Sequence, residues 1–342
     1  MNKAEAIFKQ NDIKELIKNV CKNKKHVKLT IGTLAQNEKT IKVWDEKGEI
    51  PNEDYVYEIA SISKTFLCSI LAKYVHEGKV SLDDSISKYI DWLDKDVYYP
   101  TLKRLATHTA GYSELLPLGL FNSLRDGFAT YTGIFQNGKM LAGMDYEKMK
   151  RLLLKNKLQD KDYPFAYSNF GMSVLGYALG AVDGCGYWGM MDDFLANDLG
   201  LLNTYSLTPM DKILHGYNRK NQDIGNQVWG YDYSAPDGCL SSTASDLLEY
   251  ARLNIYEERP YFNLAHQKHA ETKEDYNIGL AWYLIKGSEG RMYHTGCSNA
   301  FVSFLFIDKN TQNACILIMN YIATGIAANL AMTILKRLVG GY

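Results

Sequence analysis

The sequence predicts an α/β protein of the α+β kind, with an antiparallel sheet flanked by helices and an inserted region that is mostly helical. Strand-like apolar runs occur near the start of the chain and again after Gly238. Between them lies a long stretch whose apolar residues recur at helical spacing. We therefore expect a discontinuous α/β domain, residues 1–89 and 238–342, and a mostly helical inserted domain, residues 90–237.

The N-terminal part contains a predicted helix, a predicted hairpin and a second helix. Residues 4–22 have apolar side chains at helical spacing. Residues 27–35 and 40–44 are strand-like and flank a polar turn, as in a β-hairpin. Residues 64–76 form a mostly apolar run that predicts a buried helix, and Gly78 follows at a position where glycine commonly ends a helix.

The remaining elements are predicted from the same two patterns, apolar residues at helical spacing and strand-like apolar runs. We predict helices at residues 102–108, 146–155, 172–182, 187–199, 245–253 and 322–338. We predict strands at residues 276–285, 301–307 and 314–319, with a hairpin turn at 308–311. Residues 314–335 carry no charge, but they contain polar residues and divide into a strand and a helix, so we expect no membrane span.

Composition and charge limit the classes of partner. The 342 residues are 46% hydrophobic and 23% charged, which is typical of a soluble domain with a proper core. The 38 basic side chains nearly balance the 39 acidic ones, so we expect neither nucleic acid nor a membrane as partner.

Cysteines, histidines and glycines give no sign of a cofactor or of an oxidising compartment. The six cysteines lie far apart, and residues 1–23 lack the apolar core of a secretory signal, so we expect free thiols in the cytoplasm. The only close histidine pair, His266 and His269, has no third ligand nearby, so no metal site is predicted. No glycine motif for phosphate or dinucleotide binding occurs, and we expect no cofactor.

The candidate chemistry lies at Ser61 and Lys64, three residues apart at the start of the predicted helix 64–76. Three residues make just under one helical turn, so the hydroxyl and the amine share one face. The N-terminus of a helix favours developing negative charge, and an amine within reach can accept the hydroxyl proton. The pair therefore predicts an activated serine nucleophile.

A second Ser-x-x-Lys sequence occurs at residues 85–88. It has the pattern of a helix start, with Asp84 or Ser85 as the N-cap and Lys88 on a solvated side. The first copy precedes a long apolar helix, which gives a nucleophile the rigid and partly buried setting that it needs. We therefore assign the nucleophile to Ser61.

Two further motifs follow in order, Tyr167-Ser168-Asn169 and His294-Thr295-Gly296. With Ser61-Ile62-Ser63-Lys64 before them, the sequence resembles the serine β-lactamase and penicillin-binding-protein superfamily. It is most similar to the class C-like branch of carboxypeptidases, D-aminopeptidases and esterases, over about residues 27–335. The resemblance implies a β-lactamase/transpeptidase-like fold and an acyl-enzyme mechanism without metal or cofactor.

The resemblance also implies a role for each matching residue. Ser61 would attack an acyl carbonyl, while Lys64 and Tyr167 would take its proton. A tyrosine phenol is protonated at neutral pH, so Tyr167 could act as a base only with a cation such as Lys64 beside it. Asn169 would hydrogen-bond the substrate amide or the Lys64 amine. The backbone N–H groups of Ser61 and Cys297 would hold the oxyanion, next to the substrate-binding residues His294, Thr295 and Gly296.

Departures from the family pattern bear on the substrate. His294 stands where β-lactamases have a lysine, and a neutral histidine binds a carboxylate weakly, which argues against a dedicated β-lactamase. Asp237 belongs to a segment that replaces the family's Ala-Gly-Gly, near the expected cleft. His108 is expected to be structural and to orient the loop near the nucleophile. Residues 112–158 match no part of the pattern, in a region that walls the pocket in this family.

The predicted function is hydrolysis of a small ester, amide or D-amino-acid peptide, with weak or no β-lactamase activity. An acyltransferase would form the same acyl-enzyme and pass the acyl group to an alcohol or amine. A non-catalytic scaffold or sensor would keep only the fold. The presence of Ser61, Lys64, Tyr167 and His294 favours a catalyst over a scaffold, while the choice between water and another acceptor stays open.

Overall fold

A computed structural model describes residues 3–35, 37–112, 144–209, 211–225, 233–298, 300–322 and 324–340. Its largest element is an eight-stranded sheet in which every neighbouring pair is antiparallel. The strands, in chain order, are β1 (Leu29–Ala35), β2 (Glu38–Trp44), β3 (Glu49–Ile50), β4 (Tyr57–Glu58), β5 (Gly216–Tyr217), β6 (Asp223–Gly225), β7 (Ser241–Ser242), β8 (Tyr276–Ile278), β9 (Tyr283–Ile285), β10 (Arg291–Cys297), β11 (Val302–Asp308) and β12 (Asn313–Met319).

The large sheet joins the two ends of the chain. Its order is β3-β2-β1-β12-β11-β10-β9-β8, so the N-terminal strand β1 pairs directly with the last strand, β12. These two central strands are buried along their whole length, which fits the continuous apolar run of β12. Outside the large sheet, β4 pairs with β7 and β5 pairs with β6.

Helices cover both faces of the sheet. In chain order they are α1 (Lys3–Phe8), α2 (Asn11–Cys21), α3 (Ser63–His76), α4 (Leu102–Ala106), α5 (Tyr146–Lys155), α6 (Asn169–Asp183), α7 (Gly186–Asp193), α8 (Ala244–Ile255), α9 (Phe262–His266) and α10 (Thr324–Val339). Side chains of β12 alternate between the two faces. Ile316 and Ile318 belong to the core that includes α3 and α8, and Leu317 and Met319 belong to the core with α1, α2 and α10.

Most predicted elements are confirmed, with ends shifted by a few residues. The helix predicted at 64–76 is α3, and Gly78 after it has a φ of 70°, which favours glycine. The hairpin near the start is formed by β1 and β2. The apolar run 314–335 divides into β12 and α10 as predicted. Among the described residues no helix is long and apolar enough to cross a bilayer. All six cysteines are free thiols.

The single helix predicted at residues 4–22 was wrong. The structure has two helices there, because Gln10 adopts an extended conformation with φ −68° and ψ 136°. The change of direction lets Phe8 pack against Trp44, at 5.5 Å between ring centroids, while Ile13 remains fully buried in the same core.

The single strand predicted at residues 276–285 was also wrong. Residues 279–282 form a tight turn between β8 and β9, closed by a 2.8 Å hydrogen bond from the Gly279 N–H to the Trp282 carbonyl. A Cβ at Gly279 would lie 2.5 Å from the Ala265 carbonyl oxygen, so the close approach to α9 requires glycine. The strand β10 was not predicted, although it contains His294-Thr295-Gly296.

The division into an α/β domain and an inserted helical domain stays a prediction. Between residues 90 and 237, the described part contains α4 to α7 and the short pair β5–β6, which the sequence did not indicate. Most of the predicted pocket wall, residues 112–158, lies outside the described residues.

The second Ser-x-x-Lys sequence has the structural role that was predicted. Ser85 precedes a short 3-10 helix, Ile86–Lys88, and its Oγ accepts a 3.3 Å hydrogen bond from the Ser87 N–H. The same hydroxyl donates to the Tyr99 carbonyl at 3.1 Å. Lys88 is largely solvated and contacts both carboxylate oxygens of Asp84 at 3.0 Å.

We predict that Ser85→Ala lowers the free energy of unfolding by about 1 kcal/mol, the usual effect of losing an N-cap side chain. Urea denaturation of the variant and of the wild type measures this difference. Because the Ser85 hydroxyl contacts Ser87 and the Tyr99 carbonyl and no residue of the Ser61 site, the chemistry at Ser61 should be unchanged. Loss of that chemistry in a folded Ser85→Ala variant would contradict the assignment.

Candidate active site

Ser61 lies where a short strand pair meets a helix. After β4, a 3-10 turn, Ala60–Ile62, leads directly into α3. Ala60 adopts a left-handed φ of 45°, which is uncommon for a residue with a Cβ and typical of sharp turns at functional sites. Ser61 is partly exposed, whereas Lys64, one turn later, is completely buried. The two side chains share one face of the turn, as the spacing predicted.

Two residues predicted from the sequence, Lys64 and Tyr167, contact the Ser61 hydroxyl. The Lys64 Nζ lies 2.9 Å from Ser61 Oγ, and the Tyr167 hydroxyl lies 2.7 Å from it. The Lys64 Nζ is also 5.0 Å from the centroid of the Tyr167 ring. Two groups that can take the Ser61 proton once either of them is deprotonated therefore lie within hydrogen-bond distance. Lys64 in its ammonium form can stabilise an anion on the Ser61 or the Tyr167 oxygen.

The Lys64 amine has a further partner that sequence reasoning did not identify. It donates to the backbone carbonyl of Asp237, at the end of the short 3-10 turn Ala235–Asp237. The sequence placed Asp237 near the cleft but gave no sign that its carbonyl is the relevant atom. Every residue has a backbone carbonyl, so a contact of this kind cannot be predicted from the type of residue.

Tyr167 and Asn169 stand at the start of α6. Ser168 is the N-cap, and its Oγ accepts a 3.0 Å hydrogen bond from the Gly171 N–H. The buried Oδ1 of Asn169 has no hydrogen-bond partner within the described part of the chain. Asn169 Oδ1 therefore makes no hydrogen bond to the Lys64 amine, and its role in binding the substrate amide stays a prediction.

Strand β10 packs against the 3-10 turn Ala60–Ile62, which contains Ser61 and is called the nucleophile turn below. A Cβ on Gly296 would lie 2.3 Å from the Ile59 carbonyl oxygen and 3.1 Å from the Ser61 nitrogen, so only glycine fits there. Beside it, the Ser303 Oγ donates a 2.7 Å hydrogen bond to the same Ile59 carbonyl. The pairing of β10 with β9 covers only Met292 and Tyr293, so the rest of this strand edge, up to Cys297, is not paired with β9.

The remaining residues of the motif lie on different faces of β10. Burial alternates along the strand, and His294 and Gly296 are on its buried side toward the nucleophile turn. The Thr295 side chain borders an apolar cavity of about 330 Å³ between the sheet and α10. Cys297, at the end of the strand, is exposed.

His294 is a neutral, buried imidazole of defined tautomer. Its Nδ1 lies 2.8 Å from the Thr295 carbonyl oxygen, which can only accept, so Nδ1 carries the proton. The buried Nε2 is then a lone-pair acceptor, and it has no partner among the described residues. Burial and the charge of Lys64 lower the pKa of His294 to about 3. A Lys at this position would be a permanent cation, whereas His294 is uncharged at neutral pH.

Within the described ranges, no three histidine, cysteine or carboxylate side chains are grouped closely enough to bind a metal ion.

The matched family model is that of β-lactamase, and it covers residues 33–336. A β-lactamase of Providencia stuartii is 25% identical over 261 residues, which are 72% of this chain and 60% of that protein. The D-alanyl-D-alanine-carboxypeptidase/endopeptidase AmpH of Escherichia coli (strain K12) is 25% identical over 280 residues, which are 75% of this chain and 68% of AmpH. The match thus spans less than two thirds of the Providencia protein.

Solved structures agree in fold. A class C β-lactamase structure superposes with a TM-score of 0.78 at 18% identity, over 98% of this chain and 99% of the other. A structure named β-lactamase/D-alanine carboxypeptidase, from Pseudomonas syringae, gives a TM-score of 0.78 at 16% identity over 99% of each chain. With the family match extending over most of the sequence, these findings show that the chain belongs to the β-lactamase family of serine hydrolases.

Proposed function

We propose that the protein hydrolyses a small ester, amide or D-amino-acid peptide through an acyl-enzyme at Ser61, with weak or no β-lactamase activity. The observation that carries the proposal is the position of Ser61 Oγ, within 2.9 Å of the Lys64 amine and 2.7 Å of the Tyr167 hydroxyl. An activated serine needs a proton acceptor at this distance, and here there are two.

In the proposed acylation step, Ser61 Oγ forms a bond to the substrate carbonyl carbon. Its proton passes to the deprotonated Tyr167 oxygen or Lys64 nitrogen, and then to the leaving alcohol or amine as the scissile bond breaks. In deacylation, water attacks the ester carbon, gives its proton to the same group, and Ser61 regains a proton as it leaves. In each step one bond to the acyl carbon forms and one breaks, and the group that leaves receives the proton. Water is therefore the only reagent needed besides the substrate.

The developing oxyanion would accept hydrogen bonds from the N–H groups of Ser61 and Cys297. The close approach of β10 at Gly296 supports this assignment, since it brings the strand edge next to the Ser61 nitrogen. Each such donor typically lowers the activation free energy by about 3–4 kcal/mol. Asn169, whose Oδ1 is unpaired among the described residues, would bind the substrate amide.

The uncharged state of His294 supports a substrate without an essential carboxylate at this position. β-Lactams, and peptides that are cut at their C-terminal residue, carry a carboxylate near the scissile bond. A permanent cation would attract this carboxylate. The neutral His294 offers a lone pair instead, which repels an anion. The carboxypeptidase/endopeptidase name of AmpH supports peptides as one class to test.

Partners and location belong to the same proposal. The near balance of 38 basic and 39 acidic side chains gives no bias toward nucleic acid or an anionic membrane. We infer a small molecule or a short peptide as the substrate, and a cytoplasmic location.

We expect a fluorophosphonate probe to add once to the wild type and not to Ser61→Ala, because Ser61 has activating groups beside it. Intact mass spectrometry measures the adduct, and thermal unfolding shows that the variant is folded. Ser85→Ala is the matched control, since it has the same sequence pattern and should label like the wild type. Labelling of folded Ser61→Ala, or no labelling of the wild type, would refute the proposal.

Product analysis distinguishes hydrolysis from acyl transfer. The wild type would be assayed with one ester, with and without an added alcohol. We expect the free acid as the main product in both cases. A transesterified product that replaces the acid would identify the protein as an acyltransferase that uses the same Ser61 intermediate.

A pair of aryl esters, one with and one without a carboxylate on the leaving group, tests the protonation state of His294. With a pKa lowered to about 3, the imidazole is neutral between pH 8 and 5, so the ratio of the two kcat/KM values should stay constant over that range. His294→Lys, confirmed as folded, should shift the ratio toward the carboxylate ester by about tenfold or more. A wild-type ratio that moves toward the carboxylate ester as the pH falls through about 6.5 would contradict a neutral His294.

A further inference from the structure

His108 lies directly behind the phenol of Tyr167. It follows α4 in a left-handed conformation, with a φ of 57°, and its side chain is 3% exposed. The end of α4 fixes this turn, because the Thr109 N–H donates to the Arg104 carbonyl at 2.9 Å and the Thr107 Oγ1 donates to the Lys103 carbonyl at 2.9 Å. His108 is therefore held rigidly on one side of the loop that contains Tyr167.

The loop is bound to His108 on both sides of Tyr167. The N–H of Ala166 donates to the His108 carbonyl at 2.9 Å, and the N–H of Ser168 donates to the His108 Nδ1 at 3.1 Å. Between these two hydrogen bonds, the imidazole lies against the Tyr167 ring, at 4.6 Å between centroids. One residue thus fixes the backbone before and after Tyr167 and supports its ring.

The hydrogen bond to Ser168 defines the tautomer of His108. A backbone N–H can only donate, so Nδ1 has a free lone pair and the proton is on Nε2. Burial and the charge of Lys64 on α3 lower the pKa of His108 well below its usual value. The imidazole is therefore neutral, and its Nδ1 remains available as an acceptor.

We propose that His108 is a positioning residue for the reaction at Ser61, which holds the Tyr167 hydroxyl in reach of Ser61 Oγ through its Nδ1 lone pair and its ring. This inference rests on the proposed function. The hydrogen bond from the Tyr167 hydroxyl to Ser61 Oγ is 2.7 Å long, so a shift of this loop by about 1 Å would prevent proton transfer. The oxyanion donors at Ser61 and on β10 lie outside the loop and would stay in place. Acylation should therefore depend on His108 more strongly than KM does.

Three substitutions separate the contributions of His108. His108→Asn keeps an acceptor oxygen at the position of Nδ1, and asparagine tolerates the left-handed conformation. His108→Leu fills much of the volume without an acceptor. His108→Gly removes the side chain without backbone strain, so it serves if the leucine variant does not fold. Thermal unfolding identifies the variants that are folded.

The measurements are the acylation rate constant with an aryl ester and the rate of fluorophosphonate labelling at Ser61. We expect His108→Leu and His108→Gly to slow acylation by about 10-fold to 100-fold with little change in KM, and His108→Asn to recover most of the rate. In a Tyr167→Phe background, the further change His108→Leu should have almost no effect, because the group that it positions is gone.

The outcomes distinguish this inference from the proposed function. Wild-type protein that neither labels nor turns over an ester refutes the proposed function itself. Wild-type protein that labels, with a folded His108→Leu or His108→Gly variant that acylates within twofold of it, refutes the positioning role alone. An equal loss from His108→Leu with and without Tyr167 also refutes it, since a merely structural residue would act in both backgrounds.

Discussion

The buried amine of Lys64 is the constraint around which the active site is arranged. An ammonium group removed from water without compensation costs several kcal/mol, so its surroundings must replace the lost hydration. The Ser61 hydroxyl and the Asp237 carbonyl supply hydrogen-bond acceptors, and the Tyr167 ring lies 5.0 Å away. These groups come from three distant parts of the sequence, so the packing of the whole chain holds one cation beside one nucleophile.

The same charge determines the state of the histidines around it. The pKa of His294 and that of His108 are both lowered, first by burial and then by the charge of Lys64. Their tautomers are nevertheless opposite. The Thr295 carbonyl fixes the proton of His294 on Nδ1, whereas the Ser168 N–H fixes that of His108 on Nε2. A site with one cation and two neutral imidazoles therefore differs in electrostatics from a site with a second cation at residue 294.

Local patterns in the sequence were sufficient for the helix that follows the nucleophile. The spacing of Ser61 and Lys64 and the apolar run after them predicted α3, and the order of the three motifs predicted the family. The backbone contacts of the Asp237 carbonyl and the Ser168 N–H could not be predicted, because these groups are present whatever the residue type. Strand β10 was missed because polar residues interrupt its sequence and leave no apolar run. Its place in the sheet follows from pairing with β11, a contact that the residues of β10 alone do not indicate.

Gly296 and His294 control different properties of the site. At Gly296 the edge of the sheet touches the nucleophile turn, and no side chain fits between Ile59 and the strand. Two residues earlier, the buried His294 side chain stacks on Tyr283, at 5.0 Å between ring centroids, and its Nδ1 donates to the Thr295 carbonyl. Strand pairing uses the backbone, so we expect a lysine at residue 294 to leave β10 in register with β11. We therefore propose that Gly296 fixes the approach of the strand to Ser61, whereas residue 294 determines the charge that a substrate meets.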